Sequence, residues 1–236
     1  MQNIEVCLTP ELLHLTSLEE KVVVVADILR ASSCMVTAIA HGVEKIIPVA
    51  KIEECRALQM QGFLAAAERD GKKIQGFDLD NSPFSYMQPS LAGKTIAITT
   101  TNGTQAIAMS KNAHQVIIGA FLNKTAIVKH ILSQNRDVVI VCAGWKGKVN
   151  LEDTLFAGAV LTAVMGHFHF ENDAALLAYC TYQYSKHDLL VLLANSSHFH
   201  RLNKLGHSED IFFCLSEDKY DVIPALYDNV LMKLQP

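Results

Sequence analysis

The sequence has few of the features that mark nucleic-acid-binding or disordered proteins. Charged residues make up only 19% of its 236 positions and hydrophobic residues 50%, against roughly 25% charged in typical soluble domains. Its 20 basic and 24 acidic residues give a formal net charge of −4, so the excess of basic charge that attracts nucleic acid is missing. This balance indicates a compact globular protein.

Long apolar runs and paired cysteines are also missing. The longest uncharged apolar-rich stretch, residues 154–170, falls short of the ~20 residues that span a bilayer. Glu5 and Glu11 lie in a beginning without a basic leader, so we expect no secretory signal. The six cysteines are scattered without a CxxC pair, which argues against a disulfide scaffold or a zinc ribbon. We therefore expect a cytoplasmic protein that binds neither membrane nor nucleic acid.

Short apolar runs alternate with helix-length segments over the first 150 residues. The β-branched run at residues 21–26 predicts a strand that is buried on both faces. This alternation predicts a three-layer α/β/α fold around a largely parallel or mixed sheet. Further strands are predicted at residues 45–49, 95–99, 115–119 and 137–143, with helices at about 33–41, 52–67, 104–110 and 123–133.

The pattern becomes more helical from about residue 151. Long helices are predicted at residues 151–168 and 173–185, and residues 208–215 predict a final strand or a helix followed by a strand. No repeat or linker divides the chain, so we expect a single domain over residues 1–236.

Polar residues cluster where the first predicted strand meets its helix. Asp27 ends the strand, Arg30 follows, and Ser32 and Ser33 precede the helix. Ligands of open α/β sheets bind at such junctions, and arginine holds a phosphate or sulfonate through two parallel hydrogen bonds. The alternative is a capped helix with a surface pair between Asp27 and Arg30.

Two more junctions have a similar polar character. The turn at residues 99–104 offers four hydroxyls, an amide and Gly103, which lets backbone N–H groups approach a ligand; an ordinary Asn-Gly turn is the alternative. Glu152 and Asp153 open an apolar helix, where the helix dipole alone favours acidic residues by roughly 0.3–1 kcal/mol each. The functional alternative is that one of them joins Asp27 in holding a divalent cation.

A long polar segment, residues 68–83, separates the first two junctions. Connections of this length in compact domains are usually functional or disordered, and its apolar Ile74 and Phe77 favour an ordered one. Its polar members include Glu68, Arg69, Asp78, Asn81 and Ser82.

Two other chemistries are disfavoured. Cys142 and Lys148 have the spacing of a cysteine phosphatase, but lysine lacks the planar fork with which arginine embraces a phosphoryl group. His167 and His169 would point apart on a helix and could not share a zinc ion.

Four segments together resemble the 2-phosphosulfolactate phosphatase (ComB) family over essentially the whole chain. They are VVVVADILRASSCMVTAIAHG, GKKIQGFDLDNSPFSY, GKTIAITTTNGTQA and CAGWKGKVNLEDTLFAG, and RLNKLGHSEDIFFCLSEDKYDVIP is similar too. The resemblance implies a ComB-like α/β fold and a Mg²⁺-dependent phosphatase. Such an enzyme converts 2-phosphosulfolactate to 3-sulfolactate and phosphate, a step toward coenzyme M.

The residues and the resemblance together suggest a site for a small anionic phosphorylated substrate. Asp27, Arg30 and Glu152 are the predicted catalytic residues, and whether Asp27 is a nucleophile or a metal ligand stays open. The predicted Mg²⁺ ligands are Asp27 with Glu152 or Asp153, and with Asp78 or Glu68 as further candidates. The predicted substrate-binding residues are Arg30, Ser32, Ser33, Arg69, Asn81, Ser82, Thr100, Thr101, Asn102, Gly103 and Thr104.

Other functions are compatible with the same residues. One is a phosphatase for another small phosphorylated 2-hydroxy acid, and another is a non-catalytic anion-binding protein. The sequence also leaves the oligomeric state open, with a homodimer as one alternative.

Overall fold

The computed structural model describes residues 1–235, which form an eleven-stranded mixed sheet flanked by helices. The strands are β1 (Gln2–Cys7), β2 (Val22–Ala26), β3 (Lys45–Pro48), β4 (Leu64–Arg69), β5 (Lys72–Lys73), β6 (Thr95–Thr99), β7 (Gln115–Ile118), β8 (Val138–Cys142), β9 (Phe168–Phe170), β10 (Pro224–Tyr227) and β11 (Val230–Lys233). The helices are α1 (Ala31–Ala40), α2 (Ile52–Met60), α3 (Gly103–Met109), α4 (Lys124–Ser133), α5 (Leu151–Ala163), α6 (Asp173–Ser185), α7 (Leu189–Leu193), α8 (Ser197–Lys204) and α9 (Ser208–Cys214).

The strand order across the sheet is β5-β4-β6-β3-β11-β10-β7-β2-β8-β1-β9. Strands β4, β6 and β3 form one parallel group, and β7, β2, β8, β1 and β9 form another. The antiparallel hairpin β10–β11 joins the two groups. Its two-residue turn, Asp228 and Asn229, has φ values of 46° and 67°, the left-handed geometry that matches the twist of hairpin strands.

The centre of the sheet is its most buried part. Every residue of β2 and of β8 is buried, which requires helices on both faces, because parallel strands have no face left for solvent. The strand predicted at residues 21–26 and the α/β/α fold predicted from the alternation of strands and helices are therefore confirmed. The predicted strands at β3, β6, β7 and β8 are confirmed as well.

The clearest difference from the sequence prediction concerns residues 52–67, which do not form one helix. Helix α2 ends at Met60, and the alanine-rich stretch Leu64–Arg69 becomes strand β4, which pairs with β6. Alanine favours helices, but Ala65, Ala66 and Ala67 are buried in the sheet, so tertiary burial outweighs the local preference.

The predicted helical character after residue 151 is largely confirmed, with different ends. Helix α5 stops at Ala163, and the residues predicted to complete it include part of β9. Residues 208–215 contain helix α9 and no strand, so the predicted helix is confirmed and the predicted strand is wrong. The longest helices within residues 1–235 have 13 residues, and none of the helices qualifies as a membrane span.

Helices α5 and α6 pack at close range through Gly158. A Cβ atom on this residue would press against the carbonyl oxygen of Ala178 and lie 2.5 Å from Cβ of Tyr182. The absence of a side chain at Gly158 is therefore what allows the two helices to approach each other.

We predict that Gly158→Ala destabilises the protein. Alanine should gain about 1 kcal/mol in helix propensity, but overpacking against a backbone carbonyl costs about 1–3 kcal/mol. The free energy of unfolding, measured by urea denaturation, should fall. Ala163→Ser on the exposed end of the same helix should change it by less than about 0.5 kcal/mol. A Gly158→Ala variant as stable as wild type would contradict this account of the helix contact.

Candidate active site

A small pocket lies where the predicted junctions meet. Turns after β2, β4, β6 and β8 contribute to its wall, as does helix α8. This location agrees with the rule that ligands of parallel sheets bind beyond the carboxyl ends of the strands. The lining residues are Asp27, Leu29, Arg30, Glu68, Gly71, Asn81, Thr101, Asn102, Trp145, His198, Arg201 and Leu202.

Asp27 is a buried carboxylate at the end of the central strand β2. Its Oδ1 accepts a hydrogen bond from the backbone N–H of Ala31 at 3.3 Å. The pKa of Asp27 is raised to about 6, mainly by burial and also by the charges of Glu68 and Glu152. The charge of His198 and the hydrogen bond from the Ala31 N–H group act in the opposite direction. A carboxylate that is costly to ionise in this way is typical of functional sites.

Ser32 and Ser33 serve the turn that carries Asp27. The Ser32 hydroxyl accepts a hydrogen bond from the backbone N–H of Asp27 at 2.8 Å, and the Ser33 hydroxyl donates to the carbonyl of Ile28 at 2.9 Å. Both side chains are buried and neither lines the pocket. The structure therefore places these two hydroxyls behind Asp27, where they shape the turn.

In the threonine-rich turn, some side chains hold the turn together and others line the pocket. Thr100 Oγ1 accepts from the backbone N–H of Thr104, and Thr104 Oγ1 donates to the carbonyl of Thr100, both at 3.2 Å. Thr101 and Asn102 line the pocket, and the buried Thr101 hydroxyl has no hydrogen-bond partner within residues 1–235. At Gly103 a Cβ atom would lie 2.8 Å from Oδ2 of Asp27, so the glycine allows the first two junctions to meet.

Arg30 is fixed by an ion pair with a residue far away in the sequence. Its Nη1 binds Oδ2 of Asp210, and its Nη2 donates to the carbonyl of Gly71 at 3.2 Å. The other oxygen of Asp210 accepts a hydrogen bond from the Ser82 hydroxyl at 2.7 Å. Both charged partners are buried. Arg30 thus reaches the pocket with its position already determined by the protein.

The polar segment between the first two junctions contributes some of its predicted residues and not others. Glu68 and Asn81 are buried and line the pocket. Arg69 does not line it and instead donates to the carbonyl of Glu68 at 2.7 Å and to Oγ1 of Thr99 at 3.1 Å. Asp78 is exposed outside the pocket, and its Oδ2 accepts from the N–H of Ala65 at 2.9 Å.

Glu152 and Asp153 are adjacent on α5 but have different surroundings. Asp153 accepts hydrogen bonds from the backbone N–H of Ile28 at 2.8 Å and of Gly144 at 3.0 Å, one on each oxygen. Burial, together with the charges of Glu152 and Asp27, raises its pKa well above the ordinary value. Glu152 Oε1 lies 2.5 Å from Nδ1 of His198, whereas its buried Oε2 has no partner within residues 1–235. Glu152 therefore keeps one oxygen without a hydrogen bond in this part of the chain, but its side chain is fully buried and does not line the pocket.

Helix α8 supplies two pocket-lining side chains that the sequence analysis did not select. His198 and Arg201 stand three residues apart, so they share one face of the helix, and both line the pocket. The guanidinium of Arg201 stacks on the ring of Trp145, with its Cζ 3.8 Å from the ring centroid. The three-residue spacing of His198 and Arg201 in the sequence could have indicated that they share a helix face. It was missed because this helix was not predicted.

The disfavoured chemistries stay disfavoured in the structure. Burial raises the pKa of the Cys142 thiol well above its ordinary value, which keeps it from forming the thiolate that a nucleophile needs. Within residues 1–235, histidine, cysteine and acidic side chains form no cluster of three or more that could hold a metal ion by themselves.

The structure is a mixed α/β fold with a polar pocket beyond the carboxyl ends of its parallel strands. The sequence model of the 2-phosphosulpholactate phosphatase family matches residues 7–229. The chain therefore belongs to the 2-phosphosulfolactate phosphatase family of phosphoric monoester hydrolases.

Relatives of similar length support this membership. A protein from Caldanaerobacter subterraneus subsp. tengcongensis is 41% identical over 223 residues, covering 92% of each chain. One from Caldicellulosiruptor saccharolyticus is 40% identical, covering 92% of this chain and 93% of its own. One from Thermotoga maritima is 38% identical, covering 91% and 92%. Each carries the name "Probable 2-phosphosulfolactate phosphatase".

We predict that Asp210→Asn destabilises the protein, because it leaves the buried Arg30 charge without its carboxylate. Removing one partner of a buried ion pair typically costs about 3–5 kcal/mol. Urea denaturation should show a loss of this size. Glu209→Gln removes the same charge from the exposed neighbouring position and should change stability by less than about 0.5 kcal/mol. Equal effects of the two substitutions would show that the Arg30–Asp210 pair does not hold the structure together.

Proposed function

We propose that this protein hydrolyses 2-phosphosulfolactate to 3-sulfolactate and phosphate with the help of Mg²⁺. The observation that carries the proposal is the composition of the pocket. Two carboxylates, Asp27 and Glu68, and two guanidinium groups, Arg30 and Arg201, line the same pocket. Family membership supports a phosphorylated substrate. A ligand with three anionic groups matches a pocket that offers separate positive and polar contacts.

The few carboxylates of the pocket suit Mg²⁺, which also binds water and substrate, better than a metal ion that needs all of its ligands from the protein. Mg²⁺ usually takes one or two protein carboxylates, keeps several waters and binds substrate phosphate. Asp27 and Glu68 line the pocket, whereas Glu152 is fully buried outside its lining and contacts His198. We propose Asp27 and Glu68 as the carboxylates that would hold the ion. Asp153 has both oxygens bound to backbone N–H groups, and Asp78 lies outside the pocket.

In the proposed hydrolysis, a water oxygen forms a bond to phosphorus and the bond from phosphorus to the C2 oxygen breaks. That oxygen takes up a proton and becomes the hydroxyl of 3-sulfolactate. Bound Mg²⁺ would supply positive charge that neutralises the phosphoryl oxygens. Arg30, held by Asp210, presents its remaining N–H groups without having to reorganise. The Thr101 hydroxyl is a further donor.

His198 is oriented for proton exchange at the same site. Glu152 binds its Nδ1, and its Nε2 makes no hydrogen bond within residues 1–235. A carboxylate that fixes one ring nitrogen sets the direction of the other, as in other acid–base sites. We propose that Nε2 exchanges protons with the oxygens of the reaction, while Glu152 keeps the ring in place.

The substrate is tested by measuring phosphate release from racemic 2-phosphosulfolactate, in Mg²⁺ and again in EDTA. Phospholactate, phosphoglycolate and phosphoglycerates form the control panel. We expect Mg²⁺-dependent release that favours the sulfonated substrate. Phosphate release from the control acids alone would support the proposed reaction but show that the proposed substrate is wrong. Binding without any release would identify an anion-binding protein.

We predict that Asp27→Asn lowers kcat by about 10²–10³-fold under saturating Mg²⁺, the usual effect of removing one well-placed electrostatic group. Asp173→Asn, which removes an exposed carboxylate from the start of α6, is the matched control and should leave kcat unchanged. Near wild-type turnover of Asp27→Asn would refute its catalytic assignment. A trapped phosphorylated Asp27 would make it the nucleophile in place of a metal ligand.

A further inference from the structure

The two guanidinium groups of the pocket are held in different ways. Arg30 is bound to Asp210 and to the carbonyl of Gly71. Arg201 has no carboxylate partner within residues 1–235, and its buried Nε has no hydrogen-bond acceptor there. Leaving a buried donor without an acceptor costs about 1–3 kcal/mol, and more for a charged group. A buried arginine donor without a protein acceptor among the described residues points to an acceptor that a ligand would supply.

Stacking on Trp145 determines how Arg201 is presented. The ring covers one face of the guanidinium, 3.8 Å from centroid to Cζ, which leaves the edge with its N–H groups available. Trp145 belongs to the loop after β8, and that loop is anchored by two contacts of Lys146. The Lys146 N–H donates to Oδ1 of Asn102 at 3.1 Å, and its Nζ lies 2.6 Å from Oδ1 of Asp70. The ring under Arg201 thus belongs to a loop that contacts the turns after β4 and β6.

The electrostatic environment of Arg201 supports a ligand role. Burial lowers its pKa from the ordinary value, while the charges of Glu152, Glu68, Asp70 and Asp27 act in the opposite direction. None of these carboxylates forms an ion pair with it within residues 1–235. The guanidinium therefore stays charged and keeps its planar fork of donors for an incoming oxyanion.

We infer that Arg201, stacked on Trp145, binds the sulfonate group of the substrate and so selects for a phosphorylated acid that carries this additional anion. The inference rests on the proposed function. Arg30 lies three residues from Asp27, in the turn that carries the proposed catalytic carboxylate. We therefore assign Arg30 to binding of the phosphoryl group. Arg201 lies on a different side of the pocket, on α8. It is therefore assigned to the sulfonate, which is not transferred in the reaction.

The test compares two substrates that differ only in the sulfonate: 2-phosphosulfolactate and 2-phospholactate. Arg201→Gln should lower kcat/KM for 2-phosphosulfolactate by about 10–10²-fold, the usual effect of losing hydrogen bonds to a charged group. The loss should lie mainly in KM, because a contact to a non-reacting group contributes equally to substrate and transition state. For 2-phospholactate the change should be less than about threefold. Arg201→Lys should recover only part of the loss, since lysine lacks the fork.

Arg56→Gln is the matched control, because Arg56 also stacks on an aromatic ring, Phe77, with its Cζ 4.7 Å from the ring centroid, but lies outside the pocket. It should leave both kcat/KM values unchanged. Equal losses of Arg201→Gln on the two substrates would assign Arg201 to the phosphoryl group or to the fold and overturn the inference. An unchanged kcat/KM for 2-phosphosulfolactate would overturn it as well.

Binding of the product provides a test that does not need turnover. Trp145 is the single tryptophan of the chain, so its fluorescence reports on the ring beneath Arg201. Calorimetry should give a Kd for 3-sulfolactate at least about tenfold lower in wild type than in Arg201→Gln, with a saturable fluorescence change that lactate does not produce. If neither substrate releases phosphate, the proposed function fails and this result alone decides the inference. Equal affinity of the two proteins, or no binding of 3-sulfolactate, would contradict it.

Discussion

The buried ion pair between Arg30 and Asp210 holds the helical C-terminal part of the protein over the carboxyl ends of the strands. Desolvating two charges is costly, so such a pair is stable only when the geometry is good and the remaining polar atoms are bound. Here Gly71 and Ser82 supply those bonds. The pair therefore ties together the turn after β2, the polar segment after β4 and helix α9. Helix α8 precedes α9, so the positions of His198 and Arg201 depend on the same contact.

The first turn of α5 shows how two adjacent carboxyl groups take different parts in one site. Asp153 binds the backbone N–H groups of Ile28 and Gly144, which follow two neighbouring strands, and thereby keeps the ends of β2 and β8 in register. Glu152 points to His198 and keeps one oxygen free. The helix dipole favours both carboxylates equally, so it cannot explain this difference. What separates their roles is which backbone and side-chain donors lie within reach.

The sequence pattern predicted the central sheet well, because runs such as residues 21–26 are apolar at every position and only a doubly covered strand accommodates that. The prediction failed at residues 64–69, because alanine is compatible with a helix as well as with a strand. This segment forms a strand because it pairs with β6, which is distant in sequence. The junctions around Asp27 and Asn102 were predictable, since chain order places them at strand ends. The roles of Ser32 and Ser33 were not, because a serine can bind either a ligand or its own backbone. His198 and Arg201 come from a helix that packs over the site only through long-range contacts.

The hairpin β10–β11 gives this protein a constraint on its biosynthesis. Strands β3 and β7 each have one edge that is paired only by the hairpin, with Ile46 opposite Leu231 and Ile117 opposite Ala225. A chain emerging from the ribosome therefore holds two incomplete half-sheets until the hairpin segment has been made. Open strand edges of this kind pair readily with other chains. The sheet can close only after all the other strands have been made, and until then the edges of β3 and β7 stay open to pairing with other chains.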